Sequence, residues 1–179
     1  MWLPRDLWTT LGGFPEWFES IGEDLYLCCR ARLAGYSVQV AGVSGYWHRV
    51  GASFGGGKAQ DDNKLATTFR RRALSERNKT FVMALLYPAP AMQLILPLHL
   101  VLLLLEGTLL SALKCRTAYL SVIYLPVLGT LYRDRTRLRA ERVRIQQMRS
   151  SSLYTFFSLF KLIPYKLKML LKHGMPDVR

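Results

Sequence analysis

Residues 22–35 read Gly-Glu-Asp-Leu-Tyr-Leu-Cys-Cys-Arg-Ala-Arg-Leu-Ala-Gly, and this stretch carries the signals of one helix with defined ends. Glu23 and Asp24 stand where a helix begins, and the partial positive charge of a helix start favours acids there. Two arginines fall in the last turn, and Gly35 stands where a left-handed residue ends a helix. The sequence therefore predicts a helix over residues 25–34 with an acidic pair at its start.

A half-buried strand is predicted directly after this helix. Residues 37–41 alternate polar and apolar side chains, and Tyr46, Trp47 and His48 follow before a glycine-rich loop. A helix that turns tightly into a strand brings the far end of the strand back beside the helix start. We therefore expect His48 to approach Asp24, a carboxylate suited to act as a general base if it is held within hydrogen-bond reach of a proton.

The stretch from Gly12 to His48 resembles the acceptor-side half of family 2 glycosyltransferases, particularly the rhamnosyltransferase-like branch. The residues that carry the resemblance are Gly12, Gly13, Phe14, Glu16, Phe18, Glu23, Asp24, Leu27, Arg30, Gly35, Tyr36 and His48. The resemblance implies an α/β fold, namely the acceptor half of a GT-A type glycosyltransferase fold, followed by an α-helical membrane-associated tail. It also implies an inverting enzyme that transfers a sugar from a nucleotide-diphosphate donor to a lipid-linked or polysaccharide acceptor.

The same resemblance implies the catalytic roles of the acidic pair and of the histidine. Asp24 matches the base that takes the proton of the acceptor hydroxyl, and Glu23 matches a neighbouring acceptor or positioning contact. His48 matches a position that helps to hold a divalent cation, Mg²⁺ or Mn²⁺, on the donor diphosphate. One histidine is not a metal site, so most ligands of this cation are expected in another part of the enzyme.

Three further residues are implied as acceptor-binding or donor-binding positions. Gly12 and Gly13 form the glycine pair of the family, and Arg77 belongs to an Arg-Asn pair that helps to neutralise a phosphate. For Arg77 a solvated helix face is the alternative.

The family's nucleotide-binding half, with its DXD motif, precedes the glycine pair, whereas only residues 1–11 precede it here. We therefore expect a C-terminal fragment, or one piece of a split enzyme, that is inactive alone and lacks most cation ligands. The alternative is a non-catalytic, membrane-anchored interaction module in which the acidic pair only starts a helix.

Charge and hydropathy divide the chain. The formal net charge is +13, and the whole excess lies after residue 60. Residues 81–105 carry no charge, a run that would span about 37 Å as a helix, enough for a bilayer. Pro88, Pro90 and Pro97 are expected to interrupt it, and basic residues lie on both flanks, which opposes a single crossing. We expect a hydrophobic hairpin or helices lying in the membrane interface, with a broken two-pass hairpin as the alternative.

Three regions follow from these patterns. Residues 1–80 form the acceptor-side part of the catalytic domain, 81–132 the hydrophobic membrane-associated helices, and 133–179 a basic amphipathic tail. The arginines between 133 and 149 are expected to contact the anionic cytoplasmic leaflet. They also suit nucleic acid, but no nucleic-acid motif accompanies them, so we expect no such partner. The three cysteines suggest no disulfide framework, which fits the cytoplasmic face of the cell membrane.

Overall fold

The computed structural model describes residues 2–40, 42–43, 66–161, 165–174 and 177–178. Most of these residues are helical. The α-helices are α1 (Arg5–Leu11), α2 (Glu23–Leu33), α3 (Phe69–Leu86), α4 (Ala91–Leu113), α5 (Leu125–Arg133), α6 (Arg135–Gln147), α7 (Leu153–Phe157) and α8 (Tyr165–His173). A 3-10 turn covers Glu16–Phe18, a π-helical stretch covers Tyr119–Tyr124, and two short strands are β1 (Ala66–Thr67) and β2 (Asp177–Val178).

The predicted α/β fold, the acceptor half of a GT-A type fold, is wrong for the part of the chain that the structure describes. Among these residues the one strand pairing joins β1 and β2 in parallel, and each of these strands is only two residues long. Residues 37–40, predicted as a strand, have no regular secondary structure. Alternating side chains make a strand only where a neighbouring strand supplies hydrogen bonds, and the described residues offer none there. The described architecture is therefore all-α.

The predicted helix after the acidic pair is confirmed. α2 starts at Glu23 and ends at Leu33, and Gly35 has a φ of +89°, in the left-handed region. A side chain at Gly35 would collide with Ser150, whose backbone N–H donates to the Leu33 carbonyl at 3.1 Å. The end of α2 is thus joined to the segment that follows α6.

α3 is the central helix, and α2, α4, α5, α6 and the π-helical stretch all pack against it. The hydroxyl of Thr68 caps its start by accepting from the Arg71 N–H at 3.1 Å. Its end follows from Pro88, which restricts Tyr87 to an extended backbone. The main apolar core forms around its second half, where Phe81, Leu85 and Leu86 are buried.

The carbonyls at the end of α3 are satisfied from α6. Arg142 donates to the carbonyl oxygens of Ala84 at 2.9 Å and Leu85 at 3.3 Å, and Gln146 donates to Leu85 at 3.1 Å and Leu86 at 3.3 Å. Terminal carbonyls have no partner within their own helix, so these side chains complete the hydrogen bonding. Arg142 therefore points into the protein, whereas we expected it among the arginines that face the membrane.

α4 is the apolar helix of the chain. The predicted break at Pro88 and Pro90 is confirmed, because α3 and α4 are separate helices, but Pro97 lies inside α4 without ending it. The most apolar 18 residues of α4 have a mean hydropathy of 2.0, and only 11% of them are buried. By length and composition α4 passes for a membrane span, which alone is weak evidence for one.

A buried charge cluster joins α3, α4 and α8. Glu76 of α3 is fully buried, and its carboxylate lies 2.8 Å from Lys166 Nζ and 3.2 Å from Arg72 Nε. Glu106 of α4 lies 2.7 Å from each of the same two cations. Lys79 Nζ stands 3.7 Å from Glu76. Each carboxylate thus bridges Arg72 and Lys166, which ties the three helices together.

The pKa of Glu76 reflects a balance of burial and charge. Burial by itself raises the pKa of this carboxyl, but Lys166, Lys79 and Arg72 together hold it below its ordinary value. The folded protein therefore favours the ionised form. The resulting stabilisation is present above the ordinary pKa of a carboxyl group and is lost as the pH falls through the lowered value.

We predict that Glu76→Gln lowers the free energy of unfolding by roughly 3 kcal/mol at pH 7, because it leaves Lys166 and Arg72 incompletely paired in the interior. Acidification below about pH 4.5 should destabilise the wild type more steeply than the variant, because the variant has no carboxylate at this position to protonate. Urea denaturation at a series of pH values measures both effects.

Glu141→Gln is the matched control, because Glu141 pairs with Arg144 on the surface at 2.8 Å. We expect it to change stability by less than about 1 kcal/mol. Equal losses in the two variants would contradict a structural role of the buried cluster.

Candidate acceptor site at the start of α2

The loop that leads into α2 has an unusual backbone. Glu19, Ile21 and Gly22 have φ values of +63°, +72° and +93°. Residues with a side chain rarely adopt the left-handed region, and the strain is of the order of 1 to 3 kcal/mol each. Such a loop keeps its shape only if neighbouring groups hold it.

Asn78 of α3 is the group that holds this loop. Its side chain is fully buried, and Nδ2 donates to the carbonyl oxygens of Phe18 at 2.9 Å, Ser20 at 3.0 Å and Ile21 at 2.7 Å. An amide nitrogen has two hydrogens, so one of them is shared between two carbonyls. Oδ1 accepts from Arg77 Nε at 3.0 Å, which fixes the orientation of the amide.

Arg77 holds the same loop from its outer side. Its guanidinium donates to Glu19 Oε1 at 2.8 Å and to the Phe18 carbonyl at 2.9 Å. Arg70 stands 3.7 Å from the other oxygen of Glu19. A phosphate at Arg77, the role implied by the resemblance, would have to compete with Glu19 for this guanidinium.

The acidic pair lies directly after this loop, in the first turn of α2. Asp24 is exposed, and its Oδ1 accepts from the Leu25 N–H at 2.7 Å. Glu23 is half-buried, and its Oε2 is buried without a hydrogen-bond partner among the described residues. One carboxylate is therefore open to an incoming molecule, and its neighbour has an oxygen whose hydrogen bonding is incomplete.

Cys28 lies one turn beyond Asp24 on the same helix. Burial, and then the negative charge of Asp24, raise the pKa of the Cys28 thiol. This thiol stays protonated near neutral pH, which makes it a poor nucleophile. Chemistry at this end of α2 is therefore left to the two carboxylates.

Gly12 and Gly13 lie where α1 meets α2. Gly12 ends α1 with a φ of +71°, and a Cβ there would stand 3.3 Å from Arg30 Nη1. Gly13, at φ +63°, lies so close to the Trp8 ring that a Cβ would overlap it. Arg30 is buried and donates to the Tyr26 hydroxyl at 2.9 Å. In this structure Gly12 makes room for Arg30 of α2, and Gly13 makes room for Trp8 of α1.

His48 lies outside the described residues, and so does its expected approach to Asp24. Among the residues that are described, no group of three or more His, Cys, Asp and Glu side chains is placed to hold a metal ion. The structure brings together Glu23, Asp24 and the loop held by Arg77, and it places Gly12 against Arg30, further along α2.

Sequence reasoning missed Glu19 and the structural importance of Asn78. The Arg-Asn pair at 77 and 78 was a usable signal, since a buried polar side chain is almost always hydrogen-bonded, most often to backbone or water. Glu19 gave no signal, because its pairing with Arg77 joins positions far apart in the chain.

Comparisons with family models, with curated proteins and with solved structures found no match for this chain.

We predict that Asn78→Asp lowers the free energy of unfolding by about 3 kcal/mol, because a buried acceptor would then face three carbonyl oxygens. The loop should lose its anchor, so backbone amides of residues 19–26 should exchange with deuterium at least about tenfold faster. Urea denaturation and hydrogen exchange measure the two effects.

Gln39→Glu is the control, because it makes the same change from amide to acid at an exposed position. We expect it to alter stability by less than about 0.5 kcal/mol. Unchanged exchange over residues 19–26 in the Asn78→Asp variant would show that this amide does not hold the loop.

Proposed function

We propose that this chain is the acceptor-side part of a membrane-associated, inverting glycosyltransferase, in which Asp24 is the catalytic base. The substrates are a nucleotide-diphosphate sugar and a lipid-linked or polysaccharide acceptor. The observation that carries the proposal is the exposed carboxylate of Asp24 at a helix start whose preceding loop is held by Asn78.

The reaction requires a base because a sugar hydroxyl is a weak nucleophile. Asp24 takes the proton of the acceptor hydroxyl while the oxygen of that hydroxyl attacks the anomeric carbon of the donor sugar. The bond from that carbon to the donor diphosphate breaks, and the diphosphate leaves with the electron pair, so the configuration inverts. A positioned base typically contributes about 100-fold to 10,000-fold to such a rate.

Glu23 suits the neighbouring role of an acceptor contact. Its Oε2 is buried and has no hydrogen-bond partner in the described part of the chain. A hydroxyl of a bound acceptor would supply the missing donor, and a site built to bond a hydroxyl discriminates strongly against ligands that lack it. Glu23 would thus select and orient the sugar whose other hydroxyl reaches Asp24.

A divalent cation on the donor diphosphate would neutralise charge on the leaving group. The described residues do not fit such a cation, because they contain no cluster of suitable ligands. Its ligands therefore belong outside the described part of the chain.

The proposed membrane association is supported by α4 and by the charge of the chain. α4 exposes most of its aliphatic side chains, and the net charge of +13 favours an anionic surface. This combination fits transfer to an acceptor at the cytoplasmic face of the membrane. A non-catalytic membrane module would have the same two features, so the acidic pair must be tested by chemistry.

We predict that Asp24→Asn reduces sugar transfer by about 100-fold to 10,000-fold, because the amide cannot accept the proton. The assay uses membranes from cells that carry the variant at the gene's own locus. It measures transfer of labelled sugar from a panel of nucleotide-diphosphate donors into the lipid and polysaccharide fractions.

Asp6→Asn is the matched control, because Asp6 is also an exposed acid in the first turn of a helix, α1. It should leave transfer within about twofold, since exposed positions away from the site rarely change function. Equal transfer by wild type and Asp24→Asn would exclude Asp24 as the base. Transfer that is unchanged when the gene is deleted would favour the non-catalytic module.

A further inference from the structure

The outer face of α4 is a continuous aliphatic stripe. Its exposed residues follow helical spacing along one side, and they include Leu94, Leu98, Leu102, Leu105, Leu109 and Leu113. Leu94 is 73% exposed and Leu109 is 59% exposed. α4 is about 34 Å long, so the stripe is far larger than the scattered apolar residues of an ordinary surface.

A second apolar helix lies antiparallel beside α4. The Leu120 N–H donates to Ser111 Oγ at 3.0 Å, and Gly107 lies directly against the Tyr124 and Leu120 side chains. A Cβ at Gly107 would overlap Tyr124, so this glycine permits the close approach. The π-helical stretch therefore runs back along α4, and Val127 of α5 belongs to the same apolar cluster as Leu103 of α4.

This second helix also exposes apolar side chains, namely Val122, Leu125 and Tyr132. α3 packs against α4, against the π-helical stretch and against α5, so it covers the inner side of both helices. The exposed faces of both helices are those that α3 leaves uncovered. We call the apolar platform the surface formed by the α4 stripe together with Val122, Leu125 and Tyr132.

Cations lie at both ends of the apolar platform. Lys114 and Arg116 are exposed where α4 ends and the chain turns back. At the other end Arg133 is exposed beside Asp134, and Arg135 stands over the Tyr132 ring at 4.2 Å. The only acid within α4, Glu106, is turned inward to Arg72 and Lys166.

We propose that the apolar platform docks in the plane of an anionic lipid bilayer, with its aliphatic side chains among the lipid tails and its terminal cations at the headgroups. The stripe on α4 consists of flexible aliphatic side chains without a polar group, which suits acyl chains. Tyrosine and basic residues at its ends are the residues that favour the interface. This inference deepens the proposed function by naming the mode of membrane attachment.

The charges of α3 oppose a spanning orientation for α4. Thr80 Oγ1 lies 2.9 Å from His99 Nε2, and Arg72 lies 2.7 Å from Glu106, so α3 runs antiparallel along α4. A spanning α4 would therefore carry the charges of α3 and Lys166 across the hydrocarbon core. Each charged group at that depth is costly, and an in-plane orientation keeps all of them on the aqueous side.

The first test is flotation of the purified full chain with vesicles that contain phosphatidylglycerol and phosphatidylcholine. The triple variant L98Q/L102Q/L105Q should bind at least about 30-fold more weakly, because three side chains no longer gain from leaving water. The control V143Q/Y154Q/L159Q changes three exposed apolar residues outside the platform, and it should bind within about threefold of the wild type.

Two results of this test would overturn the proposal. One is equal weakening by the two triple variants, which would mean that the platform has no special role. The other is a wild type that does not bind vesicles but forms dimers that L98Q/L102Q/L105Q abolishes, which would assign the surface to a second copy of the chain. Circular dichroism on both variants shows whether the helices are retained.

The second test measures depth. Spin labels are placed at Leu94→Cys, Leu102→Cys and Leu113→Cys in a background with Cys28→Ser and Cys115→Ser, since Cys29 is buried. In-plane docking gives the three labels equal depth within about 5 Å, because an interfacial helix lies parallel to the surface. A central label more than about 10 Å deeper than the two end labels would indicate a spanning helix and overturn the proposal.

Neither test depends on sugar transfer. Vesicle binding that survives in Asp24→Asn, together with unaltered transfer in that variant, would refute the catalytic proposal and leave the membrane inference intact. The membrane inference fails by itself if Asp24→Asn abolishes transfer while the platform variants bind vesicles as the wild type does.

Discussion

The burial of one carboxylate, that of Glu76, sets the arrangement of the helices around α3. A fully buried charge is tolerated only where opposite charges reach it, and Lys166 and Arg72 do so at 2.8 and 3.2 Å. Both cations are shared with Glu106, so satisfying Glu76 also fixes α4 and α8. The direction and register of the apolar helix thus follow from a polar requirement, since α4 has few polar groups of its own with which to choose a partner.

Asn78 lies two positions after Glu76, and its side chain makes its contacts on the opposite side of α3. Successive residues of a helix are rotated by about 100°, so these two side chains point in roughly opposite directions. Glu76 faces α4 and α8, whereas Asn78 holds the loop before α2. A single rigid helix therefore lies between the apolar platform and the acidic pair, which fixes the distance between the proposed site and the proposed bilayer surface.

The features that sequence could predict are those set by neighbours along the chain. The ends of α2 follow from its acids and from Gly35, and the end of α3 follows from Pro88. The predicted strand at residues 37–41 is wrong over its described part. Alternation of polar and apolar side chains does not show whether a partner strand is present. Pro97 did not end α4, since a proline removes one hydrogen bond and a long apolar helix can absorb that loss. The carbonyl contacts of Asn78 reach 57 to 60 positions back in the chain and could not be derived from local patterns.

The hydrogen bonds of the arginines show why net charge alone does not define a membrane surface. Arg142 is committed to the carbonyls of Ala84 and Leu85, and Arg32 donates to the Thr155 carbonyl at 2.6 Å. These side chains complete the hydrogen bonding of helix C-terminal ends. Cations suit this position because the C-terminal end of the helix dipole is negative. The position of a cation in the fold therefore matters more for membrane binding than the number of cations in the chain. In the proposed docking, the cations that contact the headgroups are those at the two ends of the apolar platform, where charge can reach the headgroups without leaving water.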